Sequence, residues 1–340
     1  MAVAAAGPIR FGVNYLPNAA RETLRWAQLA EEVGFDIVGI ADSQSLYRDV
    51  YMCLALCAEN TSHVRLGPRV INPLTRHPAV AAGAAATLDE MAPGRTMLGI
   101  GTGDSAVLNL GLRPSTRARL RAYVATIREL LEAGESEWEG RPVRLTWRHK
   151  KVPIYLAASG PKMLQLAGEI ADGVIINTGL TPDIVRDSIA QVGKGAQSAG
   201  RPLEEVDMWW LPLTNIRDDR AAAIDEIAMT LASAGSHLSR FTTEGKHIPP
   251  ELHGPIVALG ERYRSDQHDQ PDSKNRELIM ELGLLDYLAE RFAVAGTAED
   301  CVAKLDGAIE AGARQFWMSI HFDDKERFLR DWGAVIETYR

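Results

Sequence analysis

Residues 153–198 read PIYLAASGPKMLQLAGEIADGVIINTGLTPDIVRDSIAQVGKGAQS, a short apolar run and a helical run that then occur again. Pro153–Ala157 is a strand candidate and Lys162–Ile170 the helix after it; Gly173–Asn177 and Asp183–Ser198 repeat the pair. Val174–Ile176 is apolar without alternation, the pattern of a strand covered on both faces. Strand–helix alternation of that kind builds a parallel sheet.

Working outward, the same unit recurs. Towards the N-terminus the strand candidates are Ile9–Asn14, Ile37–Ile40, Val64–Ile71 and Thr96–Ile100. Their helices are Ala19–Val33, Asp49–Glu59, Ala79–Leu88 and Ser115–Leu131, with Gly34 placed as a left-handed stop for the first. A polar, Trp-containing stretch, Glu135–Lys151, precedes the quoted segment. Beyond it come Val206–Leu213 with helix Arg220–Ala234, helix Ala298–Glu310, strand Gln315–Ser319 and helix Lys325–Tyr339. Eight strand candidates in 340 residues predict a single closed (β/α)8 TIM barrel over 1–340, with an open doubly wound sheet as the alternative. Residues 236–285 interrupt the rhythm: the segment is polar and rich in His and Pro, an insertion near the C-terminal end that reads either as surface decoration or as a lid over the barrel mouth.

Composition narrows the function classes. The net charge of −8 argues against a nucleic-acid or anionic-membrane binder, both of which reward a basic face. No apolar run approaches the length of a membrane span, and Met1–Gly7 lacks the features of a signal peptide. Three cysteines fit a reducing cytoplasm, and Cys53 and Cys57, four apart in an apolar segment, read as small core residues. His237, His247, His253 and His268 cluster without metal-ligand spacing, so no metal site is expected.

A barrel of this type gathers chemistry on the loops after its strands. Gly99-Ile-Gly-Thr-Gly-Asp104 places glycines where a ligand can lie flat on backbone, but the spacing departs from a dinucleotide fingerprint. Ser159-Gly-Pro-Lys162 runs from a strand end into a helix start, where free N–H groups favour an anion such as phosphate; the plainer alternative is an N-cap by Ser159. In Val64-Arg-Leu-Gly-Pro-Arg-Val-Ile-Asn-Pro73, one glycine and two prolines interrupt a central strand, which predicts a bulge. Trp209, Trp210 and Trp317 either line a flat apolar pocket or fill core layers.

These segments, with Asp49-Val-Tyr-Met-Cys-Leu-Ala-Leu-Cys-Ala-Glu-Asn60, Arg76-His-Pro-Ala79, Thr87-Leu-Asp-Glu90 and Ala171-Asp-Gly173, resemble the bacterial luciferase-like superfamily, and within it the coenzyme F420-dependent methylenetetrahydromethanopterin reductases. The likeness runs over roughly residues 9 to 200, with an echo at Gly296-Thr-Ala-Glu-Asp300. It implies a TIM barrel whose bulged third strand carries a non-prolyl cis peptide, placed by motif at Arg69–Val70 and backing a cofactor ring. It further implies Asp42, Asn72, Gly103 and Asp104 near that ring, and Ser159, Gly160, Thr178 and Gly179 around a phosphate-bearing tail. Many relatives carry His directly after the position of Asp42, whereas this chain has Ser43, which cannot act as a base without an activating partner. Asp42, Ser43, Asn72 and Asp104 are therefore the catalytic candidates, with Tyr47 a further proton carrier or orienting group.

The resemblance supports three readings: F420-dependent hydride transfer to or from a small organic substrate; an FMN-dependent monooxygenase fed reduced flavin by a separate reductase; and a flavin-holding protein with degraded catalysis. Relatives are commonly homo-oligomers, which is the expectation here.

Overall fold

The computed structural model describes residues 7–147, 150–264, 267, 273–321 and 324–340. Eight parallel strands form one sheet: β1 (Arg10–Tyr15), β2 (Ile37–Ile40), β3 (Arg65–Pro68), β4 (Leu98–Ile100), then, past a hairpin of β5 (Glu135–Trp138) and β6 (Arg141–Arg144), β7 (Ile154–Ala158), β8 (Gly173–Ile176), β9 (Asp207–Trp210) and, last in the chain, β12 (Gln315–Ser319). The order β3-β2-β1-β12-β9-β8-β7-β4 closes through bridges Leu66–Thr96 and Ile71–Ile100 between its two ends. Five steps along the β3 segment thus face four along β4; the extra residue is the bulge, and the Arg69–Val70 peptide within it is cis. The architecture is the (β/α)8 barrel with a bulged third strand.

The helices α1 (Ala20–Glu32), α2 (Val50–Asn60), α3 (Pro78–Met91), α4 (Ser105–Leu108), α5 (Arg117–Ala133), α6 (Pro161–Ile170) and α7 (Pro182–Ser198) follow the first six staves. Their starts obey local chemistry. Asp49 accepts from the N–H groups of Tyr51 and Met52, and Pro78, Pro161 and Pro182 open their helices where a missing N–H costs nothing. Cys53 and Cys57 are buried free thiols in the core.

Two expected elements divide. Val206–Leu213 is not one strand: β9 ends at Trp210, and Pro212 has no N–H to continue the ladder. The chain leaves the barrel as β10 (Leu213–Ile216), which pairs in parallel with β11 (Ala293–Gly296). Arg220–Ala234 likewise splits into α8 (Arg220–Glu226) and α9 (Ala228–Ser239). With α10 (His253–Arg262), α11 (Lys274–Glu281) and α12 (Leu285–Phe292), these helices bury Leu231, Leu238, Leu259, Ile279, Leu288 and Phe292 in a second apolar core. The interruption at 236–285 is thus the middle of a larger packed unit, and its residues 265, 266 and 268–272, His268 among them, lie outside the described residues. Helices α13 (Ala298–Glu310), opened by a Thr297/Asp300 capping box, and α14 (Lys325–Glu337) complete the ring.

Inside the barrel, side chains stack in layers. At the N-terminal end of the staves, Asp207 accepts from Tyr155 at 2.5 Å, Trp209 at 3.1 Å and also Gln315, and pairs with Arg65. Above them Trp209 and Trp317 meet edge to face at 5.5 Å between centroids, with Ile37, Met97 and Ile175 around them. Both tryptophans are fully buried, as is Trp210 on the helix side, so none lines an open pocket: the core-filling reading is the one observed. Gly39 makes this possible, because a Cβ there would sit 2.7 Å from the Trp317 ring.

Candidate functional site

Above the tryptophans, the strand ends form a mouth with three parts. The first is the bulge. Ile71 donates to Gly99 O at 3.0 Å and receives Gly101 N–H at 2.8 Å, which locks the β3 segment to the glycine run after β4. A Cβ on Gly101 would lie 2.9 Å from Val70, and Gly103 adopts φ +106, so both glycines are required by close approach or backbone hand. Asn72 stands beside Gly103, but its side chain turns into its own loop: Oδ1 accepts from Leu74 and Thr75, and Nδ2 donates to the Thr75 hydroxyl. Turn formation is therefore what Asn72 does in this structure.

The second part is the loop after β2. Asp42, almost fully buried, is gripped by Arg76 through Nε at 3.1 Å and Nη2 at 3.2 Å, and the same guanidinium reaches Asp49 at 3.0 Å. Burial opposes the charge on Arg76, but the two carboxylates outweigh it and raise its pKa still further. Ser43 Oγ lies 2.9 Å from Ser105 Oγ, its hydrogen-bond partner among the described residues. Among the described residues neither a carboxylate nor an imidazole bonds to the Ser43 hydroxyl, so it is placed to donate or accept a hydrogen bond and not to serve as a base.

The third part was not legible in the chain. His237, on α9, lies with Nε2 3.0 Å from Asp104 Oδ2 and Nδ1 3.2 Å from Asn177 Nδ2. Arg240 donates to Asp104 Oδ1 at 2.7 Å. Desolvation opposes ionisation of Asp104, but His237 and Arg240 overcome it and hold the carboxyl well below the usual carboxylate range. The loops after β4 and β8 are thereby bridged by a helix that departs from the barrel. An Asn–His–Asp chain of this kind fixes the imidazole and links it to a carboxylate, the arrangement that proton transfer requires.

Gly160 and Thr178 come together beside Lys246 and His247, with Ser159 and Gly179 next to them in the chain. The N-cap of α6 is Gly160 with no side-chain cap bond, so Ser159 does not cap; Pro161 has no N–H and that of Met163 goes to Gly160 O at 3.0 Å, which leaves the N–H of Lys162 available in the first turn. Thr178 is hydrogen-bonded to Ser188 at 2.8 Å, and Gly179 (φ +119) packs on Arg291. Lys246 donates to the carbonyls of His237, Leu238 and Arg240, and Arg291 to those of Thr178, Lys246 and His247. Burial, then Arg291 and Arg240, push the Lys246 ammonium down to about 8. The space left among Gly160, Thr178, Asp187, Lys246 and Arg291 is about 10 Å³, room for roughly one water. A larger groove of about 300 Å³ lies outside the ring, between α5 and α6. Among the described residues no cluster of metal-ligating side chains occurs, and no helix is long and apolar enough to cross a membrane.

Several known proteins are similar to this chain over nearly its whole length. The 5,10-methylenetetrahydromethanopterin reductase of Methanolobus tindarius is 32% identical over 90% of this chain and 92% of its own length. The F420-dependent glucose-6-phosphate dehydrogenase of Nakamurella multipartita is 31% identical over 97% and 96%. The solved structure of the coenzyme F420-dependent tetrahydromethanopterin reductase from Methanopyrus kandleri superposes with a TM-score of 0.79 at 26% identity, covering 98% of this chain and all of that one. The family model for luciferase-like monooxygenases matches residues 1–315. This chain belongs to the luciferase-like monooxygenase family.

Proposed function

We propose that the protein is an oxidoreductase that binds a flavin-type ring at the barrel mouth, with coenzyme F420 as that ring, and moves hydride to or from a small organic substrate. The observation that carries this reading is the juxtaposition of a glycine-lined, bulged floor with the Asp104–His237 pair at its edge. The residues fit such a group. Val70, Gly101 and Gly103 offer backbone that a planar ring can approach, and the uncapped start of α6 with Lys246 beside it suits an anionic tail. When bound, the ring would supply or accept the hydride. The chain's own share is to orient reactants and to hold or move a proton at His237 Nε2 or Asp104, while Asp42 and Arg76 keep the β2 loop in shape.

In this reading the loop at residues 240–247, within the segment 236–285, lifts from Gly160 to admit the tail and is the part that acts as a lid. The same reading has a homo-oligomer working in the cytoplasm with a separate flavin or F420 reductase as its partner. FMN is the alternative ring, favoured by the missing His at Ser43, and a degraded flavin carrier is the third reading. Titration with F420 and with FMN, each followed by ligand fluorescence, separates them. F420 binding is expected; tight FMN binding without F420 binding overturns the choice, and turnover with any acceptor disposes of the degraded carrier.

A further inference from the structure

The bulge holds one side chain that the network above does not use. Arg69 runs inward from the bulge, passes Gly39, and ends across the barrel on β12, where Nη1 donates to Trp317 O at 3.1 Å and Nη2 to the Ser319 hydroxyl. Its guanidinium lies 5.5 Å from the centroid of the Trp317 ring. None of the described carboxylates forms an ion pair with it, in a chain where Arg65, Arg76, Arg128 and Arg240 all have one. Burial acts on it with no acid in opposition and pushes its pKa down, yet an arginine starting near 12.5 remains protonated at neutral pH. The residue as a whole is half-buried, and its guanidinium sits at the β12 oxygens just named.

A guanidinium has five N–H donors, and two are taken by the oxygens named, which leaves three in one plane. Asn14 adds a second observation: its Oδ1 is buried with no hydrogen-bond partner, and it abuts the same face of Gly39 as Arg69. An unmatched cation and an unmatched acceptor thus share one wall, formed by β1 and β12. In the sheet order that wall lies across the barrel from β4, where Asp104 and His237 stand. Buried groups left open in this way are costly unless something pairs with them.

We infer that Arg69 is a substrate-binding residue for a carboxylate, and that Asn14 receives a hydrogen bond from a donor group on the same molecule. This rests on the hydride-transfer reading for what happens to the substrate, but not for its binding. The planar fork suits a bidentate carboxylate, which a lysine at this position would meet only as a point charge. A substrate anchored there presents its far end towards His237.

The test is calorimetric titration of the whole protein, with and without F420, using acetate, lactate, succinate and benzoate, each against its neutral amide. At least one acid is expected to bind ten-fold or more tightly than its amide. Arg69→Met should abolish that preference, Arg69→Lys should weaken it several-fold, and Ser319→Ala, which frees a donor, should keep it. If Arg69→Met does not fold, the Arg69→Lys comparison decides alone. A preference unchanged in the variants, or no discrimination in any pair, whether both bind or neither, overturns the inference. Failure of F420 to bind would sink the redox reading and leave this comparison intact.

Discussion

His237 Nε2 lies 3.0 Å from Asp104 Oδ2, although the two residues stand 133 apart in the chain. The contact joins the glycine run after β4 to the helical unit that leaves the barrel after β9. With Arg240 on the other carboxylate oxygen, it keeps Asp104 ionised. Removing the Arg240 cation should let the Asp104 titration move upward towards the ordinary range near 3.9. Side-chain carboxyl NMR of protein labelled at aspartate, compared between wild type and Arg240→Met, measures the shift. A downward or absent movement contradicts the geometry.

Arg76 neutralises Asp42, which has almost no exposure of its own. Arg76→Met leaves that carboxylate buried without a partner, a loss of about 3–5 kcal/mol in folding free energy. Urea unfolding gives the value, and Asp42→Asn in the same background should recover part of it.

Glu31 supplies a pH-dependent tie between α1 and β3. Its carboxylate accepts from the backbone N–H groups of Ser62, His63 and Val64 at 2.7–3.0 Å. Partial burial opposes its ionisation, and these donors overcome it, so the folded pKa is lowered. The stabilisation is fully present above the unfolded value, about 4.3, and fades as pH falls through the lower folded one. Glu31→Ala should cost about 1.5–3 kcal/mol at pH 7. The gap between wild type and variant should narrow only in acid, which denaturant melts at a series of pH values will follow.

Trp317 fills the barrel between Gly12 and Gly39. Trp317→Ala opens a cavity among residues that have little freedom to collapse, and should lower stability by about 3–5 kcal/mol. Thermal melting reports the loss. Adding Gly39→Ala should fill part of the void that the ring vacated, and so cost far less in the variant than in wild type.

Ser43→Ala removes one hydroxyl partner of Ser105 and no proton acceptor of consequence. Stability should fall by about 0.5–1.5 kcal/mol, with cofactor affinity unchanged in the fluorescence titration. A collapse of turnover in the presence of bound cofactor would show that Ser43 contacts a reacting group after all.

The barrel was readable because its staves are buried on both faces and so spell themselves as apolar runs, as at Ile37–Ile40 and Val174–Ile176. The bulge was readable because Gly67, Pro68 and Pro73 spoil a ladder that a central strand needs. Pro212 carried the same kind of signal, and it marks where β9 stops and the second core begins. The partnership of His237, Arg240 and Asp104 had no local signature: neither spacing nor periodicity records which helix will fold back over which strand. Lys246 and Arg291 are hidden for the same reason, since their carbonyl partners are defined only by the folded path. The inward direction of Trp209 and Trp317 depends on the alternation of side chains in strands too short to display it.

The tryptophan layer and the acid–arginine lock beneath it make the barrel a vessel with a single door. Whatever rests on the floor has to arrive before the molecule lying over it, and can depart only after that molecule has gone. In the proposed reading, two indole rings that take no part in the chemistry would thus set the order in which ring and substrate come and go.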